Sequence, residues 1–187
     1  MEDQIAISHL KQGNLNGLEF LVSSYQTQAV HAAYLILYDR SQAEDIVQTA
    51  FVKVAERIQQ FDDARPFAPW FFRIIVNDAL KVANKQKRNI SLEDLLDKPT
   101  AHLAKWLTDP NLQPEQVVEQ RETRQVILKA IQNLPPKQRA AIVMQYFLDM
   151  SEKDMSRAVD RPLSTIKWWL RDARKRLRSL INTPQGG

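Results

Sequence analysis

Between Leu18 and Gln185 the chain has no glycine; the four it has are Gly13, Gly17, Gly186 and Gly187. Glycine most readily takes the positive φ of two-residue hairpin turns, and phosphate-cradling loops need it for close backbone approach. Its absence from almost the whole length argues against tight hairpins and excludes Gly-rich nucleotide loops. With 44% apolar and 26% charged residues, the composition is that of a globular protein built almost wholly from α-helices. The absence of cysteine removes disulfides, thiolate metal sites and cysteine nucleophiles.

Apolar periodicity supports the helical reading. Leu18, Leu21, Val22, Tyr25, Ala29 and Ala32 recur at three- and four-residue steps, as a buried helical stripe requires. A second helix is expected to start near Ser41, capped by its hydroxyl with Glu44 three residues on, and to bury Ile46, Val47, Ala50, Phe51, Val54 and Ile58. Pro66 and Pro69 punctuate a loop. A third helix is expected from about Pro69 to Lys87, with Trp70, Ile74, Ala79 and Val82 inward. Over residues 89–116 the periodicity breaks among Pro99, Pro110 and Pro114, which reads as a linker. Short helices are expected beyond it at 115–133, 136–148, 151–159 and 164–181. Ser151 with Asp154 forms a capping box.

Charge is unevenly placed. Residues 121–178 hold 14 Lys+Arg against 6 Asp+Glu, a net of +8, and the remainder nets −4, which together give the chain's +4. A basic end beside an acidic remainder suggests an anionic partner. The pattern at 151–181, short helix, turn, basic helix, has the lengths of a helix-turn-helix. At 100° per residue, Leu170, Ala173 and Leu177 fall within about 40° of Ile166, and the four form the buried stripe. Lys167, Arg171, Arg174 and Arg178 lie about 100° from Ile166 and are expected to be exposed. Trp169 lies about 60° off the apolar stripe, as packing requires, and Trp168 about 200° away, facing outward.

The stretches also carry a family resemblance. Leu134-Pro135-Pro136-Lys137-Gln138-Arg139 resembles the LPPxxR opening of sigma region 4, and Leu163 to Leu177 resembles that region's recognition segment. Gln42 to Phe51 is similar to the DAEDLVQExF segment of region 2.2, and Phe67 to Asn77 to the FxxWLYRIAxN of regions 2.3 and 2.4. In family order and at family spacing, the four resemble the sigma-70 family of RNA polymerase sigma factors, in particular its extracytoplasmic-function (ECF) branch.

The resemblance implies an all-α, two-domain protein: a sigma-2 domain over 1–88, a linker over 89–116 and a sigma-4 helix-turn-helix domain over 117–183. It implies that Glu44, Asp45 and Gln48 bind the clamp of the polymerase β′ subunit. It implies that Phe67, Phe72, Arg73, Asn77, Lys81 and Lys85 act at the −10 element, with Asn77 and the two rings taking a flipped base and the cations holding phosphates. For the −35 element it implies Arg139, Thr165, Lys167, Trp168, Arg171 and Arg174. Core RNA polymerase, promoter DNA and an anti-sigma factor are the implied partners. No cofactor or metal is implied, and binding energy alone does the work.

Some positions depart from the family pattern. Ser156 replaces a small residue, Asp160 the turn glycine, and Trp168-Trp169 a small-plus-Arg pair; Thr49 stands where an acid is usual. Three other readings compete. A helix-turn-helix regulator with an N-terminal dimerisation or sensing domain accounts for the C-terminal third but not for residues 42–51 and 67–77. An enzyme finds little support in His9, His31 and His102, which are scattered and lack metal-type spacing. A sigma-like protein that binds polymerase without initiating would keep the fold and change the role. The start of the chain lacks a signal-peptide core, and its longest uncharged apolar run, residues 32–38, is far short of the roughly 18 residues of a membrane span. A cytoplasmic location without membrane insertion is expected.

Overall fold

A computed structural model describes residues 2–89 and 125–182, and every regular element among them is helical. The N-terminal half comprises α1 (Asp3–Lys11), α2 (Asn16–Leu37), α3 (Arg40–Arg57) with a 3-10 turn at Ile58–Gln60, and α4 (Phe67–Asn89). The C-terminal half comprises α5 (125–132), α6 (Pro136–Ile142) running on as a π-helical turn at Val143–Phe147, α7 (Glu152–Val159) and α8 (Leu163–Asn182). Of the expected linker 89–116, all but Asn89 lies outside the described residues.

The glycine-poor sequence turns its corners by other means. Tyr38, Asp149 and Asp160 take positive φ values of 56°, 49° and 50°. Tyr38 closes α2 in the left-handed region, with its N–H on the Tyr34 carbonyl at 2.6 Å. Asp39 then opens α3 at once. Its carboxylate accepts from the Gln42 backbone N–H at 3.1 Å and from the Gln42 side chain at 2.8 Å. The cap of α3 is therefore Asp39, not Ser41: a carboxylate two residues earlier satisfies the orphan donor. Glu44, released from capping, pairs with Arg40 at 2.7 Å. The Ser151 cap forms as the sequence suggests, accepting from the Asp154 N–H at 3.2 Å.

Helix α4 starts at Phe67 rather than Pro69, and its register differs from the expected one. Phe67, Phe71, Phe72, Ile75, Val76, Ala79, Leu80 and Ala83 are buried, while Trp70, Ile74 and Val82 are only partly so. The aromatic cluster accounts for this. Phe71 packs 4.7 Å from Phe51 and 5.6 Å from Phe67, and Phe67 lies 5.3 Å from Tyr25 (ring centroids). Seating these rings between α2 and α3 buries far more apolar area than the smaller side chains would.

The two halves pack against each other. The Tyr38 hydroxyl donates to the Leu128 carbonyl at 2.9 Å and the Arg139 guanidinium stands 5.3 Å over the Tyr38 ring. His31 meets Phe147 edge-on at 6.3 Å, and the Asn77 amide donates to the Ala158 carbonyl at 2.6 Å. One apolar core runs through both halves.

Candidate functional site

Helix α8 exposes what its periodicity foretells. Ile166, Trp169, Leu170 and Ala173 are buried, and Lys167, Trp168, Arg171, Lys175 and Arg178 are exposed, Trp168 at 51%. Thr165 is half-buried at the start of the helix. Lys167 is 4.0 Å from Glu152 of α7, an open surface pair that leaves its ammonium available to a phosphate. Arg174 is the exception to the free cationic stripe. Its Nη2 donates to Gln145 Oε1 at 2.7 Å and its Nε to the Tyr146 hydroxyl at 3.0 Å. The π-helical turn carries Gln145 and Tyr146, and such turns commonly re-aim side chains at functional sites. Arg174 is thus held in one orientation before any ligand arrives.

The turn between α7 and α8 explains two departures from the family pattern. Asp160 takes the left-handed conformation that a glycine would take. The Ser156 hydroxyl donates to the Arg161 carbonyl at 2.5 Å, and the Arg161 N–H donates to the Ser156 carbonyl at 3.1 Å. Both replacements close the same turn with local hydrogen bonds.

Arg139 is not where a phosphate contact requires it. It is half-buried on the Tyr38 ring, with Nη1 donating to the Gln132 carbonyl at 2.8 Å and Nε buried without a hydrogen-bond partner. Burial pulls its pKa below the usual guanidinium value, opposed by Tyr38. In this packing the side chain fastens the two halves together and does not stand free for a phosphate.

On α4, Arg73, Lys81 and Lys85 are exposed and follow one side of the helix past Asn77. Lys81 shares Asp78 with Lys53, at 3.1 and 2.5 Å. Burial raises the Asp78 pKa, but hydrogen bonds from Lys53 and Lys81 outweigh it, so the carboxyl titrates below its usual value. Asn77 is half-buried, its amide shared between the Arg73 carbonyl and Ala158 of α7. Phe67 and Phe72 are corrected: at 2% and 3% exposure both rings belong to the core and offer no face to a base. Their spacing on α4 turns them toward Tyr25 and Phe71.

The polar face of α3 borders a groove of about 890 Å³ against α2, floored by Val22, Val30, Val47 and Phe51. Glu44 and Gln48 line this groove, while Asp45 is exposed outside its lining. Sequence reasoning passed over Tyr38, Gln145, Tyr146 and Asp78. Of these only Tyr38 carried a signal: a helix ending one residue before an Asp cap needs a left-handed residue, and no glycine is there to supply it.

The family model for sigma-70 region 2 matches residues 21–89, and that for sigma-70 region 4 matches residues 124–177. The chain belongs to the sigma-70 family, as an RNA polymerase sigma factor of the ECF type. It is 28% identical to the ECF RNA polymerase sigma-E factor of Haemophilus influenzae, over 97% of this chain and 96% of that protein. It is 27% identical to the ECF RNA polymerase sigma factor SigW of Bacillus subtilis, over 94% of each. Two solved structures share the fold. One is RpoE in complex with the anti-sigma factor NepR from Bartonella quintana (TM-score 0.63, 20% identity, 89% of this chain and 99% of that one). The other is CnrH in complex with the cytosolic domain of CnrY (TM-score 0.64, 19% identity, 98% and 99%). Among the described residues of this sigma factor, no helix is long and apolar enough to cross a membrane, and no three His, Asp or Glu side chains gather as a metal would need.

Proposed function

We propose that this sigma factor docks on core RNA polymerase through the α2–α3 groove and directs it to bipartite −35/−10 promoters. Glu44 and Gln48 at the groove, with Asp45 beside it, meet the β′ clamp. Thr165, Lys167, Trp168, Arg171 and the pre-oriented Arg174 act at the −35 element. The 61–66 loop leading into α4, with Arg73, Asn77, Lys81 and Lys85, acts at the −10 element, where the duplex is melted. The domains divide at 1–88, 89–116 and 117–183. The protein works in the cytoplasm by binding alone and catalyses no bond chemistry. An anti-sigma factor covers one or both DNA faces, in keeping with the solved relative RpoE, which is in complex with the anti-sigma factor NepR.

The observation that carries this reading is the presence of both matched regions, in order, on one chain whose last helix exposes Lys167, Trp168 and Arg171 together. DNA contact on this side of the protein requires the packing of the halves to open, because Asn77 is held by Ala158. The test is transcription by core polymerase on a genomic fragment library, with and without the protein. Start sites that appear only with it, sharing −35 and −10 sequences, are expected. Tight DNA binding as a dimer with no new starts would favour a regulator. Stable core binding without starts would favour an adaptor.

A further inference from the structure

Helix α1 lies ahead of both matched stretches, yet it holds the loop that leads into α4. The Lys11 ammonium, on the last turn of α1, donates to the Phe61 carbonyl at 2.9 Å and to both Asp63 oxygens at 2.8 Å. In return Gln59 donates its side-chain amide to the Lys11 carbonyl at 2.6 Å. The brace therefore reaches both the residues entering the loop and the loop itself. Inside the loop, Asp62 accepts from the Ala64 N–H at 3.1 Å and pairs with Arg65 at 3.1 Å. Phe61 is buried against Phe67 and Trp70, whereas 62–66 are all exposed. The result is a short polar loop, anchored at its root and presented to solvent.

The seat of α1 is itself firm. A Cβ on Gly17 would stand 2.1 Å from the Ala6 carbonyl oxygen, so α1 and α2 approach as closely as backbone permits. The Tyr25 hydroxyl bonds Asp3 at the other end of α1, and the same ring packs on Phe67, Phe71 and Phe72. With α1 fixed at both ends, Lys11 cannot follow the loop and the loop must follow Lys11.

We infer that Lys11 is a positioning residue for −10 recognition: it fixes the 61–66 loop in the shape that receives an unstacked base. This rests on the proposed reading that the loop leading into α4 faces the melted strand. Two physical contributions are separable. The ion pair with Asp63 is largely exposed, 63% at the carboxylate, and adds little to stability. Beside DNA, however, it neutralises a carboxylate that would repel phosphate. The bond to the Phe61 carbonyl is part-buried and sets the loop's root. Ordering the loop beforehand removes an entropic cost that would otherwise fall on base capture.

The experiment compares Lys11→Met, which keeps the stem and loses the charge, with the full-length protein in holoenzyme. Open-complex formation is measured on promoters carrying the preferred or a substituted base at each −10 position. Lys11→Met is expected to lower the preference for the correct base by about fivefold, the scale of one partly buried hydrogen bond, with core-polymerase affinity unchanged. A merely structural role would lower the melting temperature and depress all promoters equally, leaving base preference intact; that result overturns the inference. Arg65→Ala, in the exposed loop, separates the two readings. If it alters −10 base preference while Lys11→Met does not, the loop reads DNA and Lys11 does not position it. If neither variant alters preference, the placement of the loop at the melted strand fails, and the inference with it.

Discussion

Trp168 shows what a single side chain can commit to. A half-exposed indole on a basic helix, bracketed by Lys167 and Arg171, leaves apolar area in water that a thymine methyl or sugar edge would cover. Trp168→Ala is expected to weaken −35 binding by roughly tenfold, the scale of an aromatic anchor, with core-polymerase affinity intact. Fluorescence anisotropy on a −35 duplex measures it, and unchanged affinity would remove Trp168 from the interface. Asn77 carries the opposite tension, because its amide is already spent on Ala158. Asn77→Ala loses both that bond, worth about 1 kcal/mol, and the base contact proposed for it. Open-complex formation should therefore fall while closed-complex binding holds. Permanganate footprinting resolves the two steps, and equal loss at both would indicate a fold defect.

At the scale of elements, the sequence carried some features plainly and hid others. Helix α8 was legible because its amphipathic stripe is long and uninterrupted, so angular placement alone separated Trp169 from Trp168. The turn at Asp160 was legible because few residues accept positive φ. The Asp39 cap was missed because Ser41-x-x-Glu44 has the same signature two residues later, and only geometry chooses between them. The burial of Phe67 and Phe72 was hidden because a ring suits a core and a base-stacking site equally well. The contact of Arg139 with Tyr38 was hidden because nothing local marks the two as partners. Links such as Lys53–Asp78 join α3 to α4 across 25 residues and leave no local pattern either. That link makes a pH prediction. The Asp78 carboxyl is held below its usual pKa, burial being outweighed by Lys53 and Lys81. Its stabilisation is then present above the unfolded carboxyl value, about 3.9, and is lost as pH falls through the lower folded value. Asp78→Asn is expected to destabilise the protein by on the order of 1 kcal/mol at neutral pH. The gap to the parent should narrow as pH falls below the unfolded carboxyl value, about 3.9. Thermal melts across pH 3–7 measure it, and a gap that does not depend on pH would rule out the ion pair as its source.

At the scale of the molecule, the packed halves and the proposed promoter cannot coexist. Elements at −35 and −10 are separated by roughly 85 Å of duplex at 3.4 Å per base pair, whereas Asn77 of α4 and Ala158 of α7 are hydrogen-bonded. The halves share one apolar core, and the polar contacts across their seam include Tyr38 on Leu128, Arg139 over the Tyr38 ring and Asn77 on Ala158. Tyr38 is the costliest of them, since a left-handed β-carbon residue is strained by about 1 kcal/mol. Opening would release this side chain from the seam and let Arg139 regain water. The packing is expected to persist in the free protein and to open when the protein docks on polymerase. The absence of native cysteine allows a clean test by energy transfer between dyes on Glu56→Cys and Ser179→Cys, both exposed. High transfer is expected in the free protein and low transfer on promoter-bound holoenzyme, with Tyr38→Ala shifting the free protein toward the low state. Transfer that stays high on an active promoter complex would show that both elements are read without separation, and the closed packing would then be the working form.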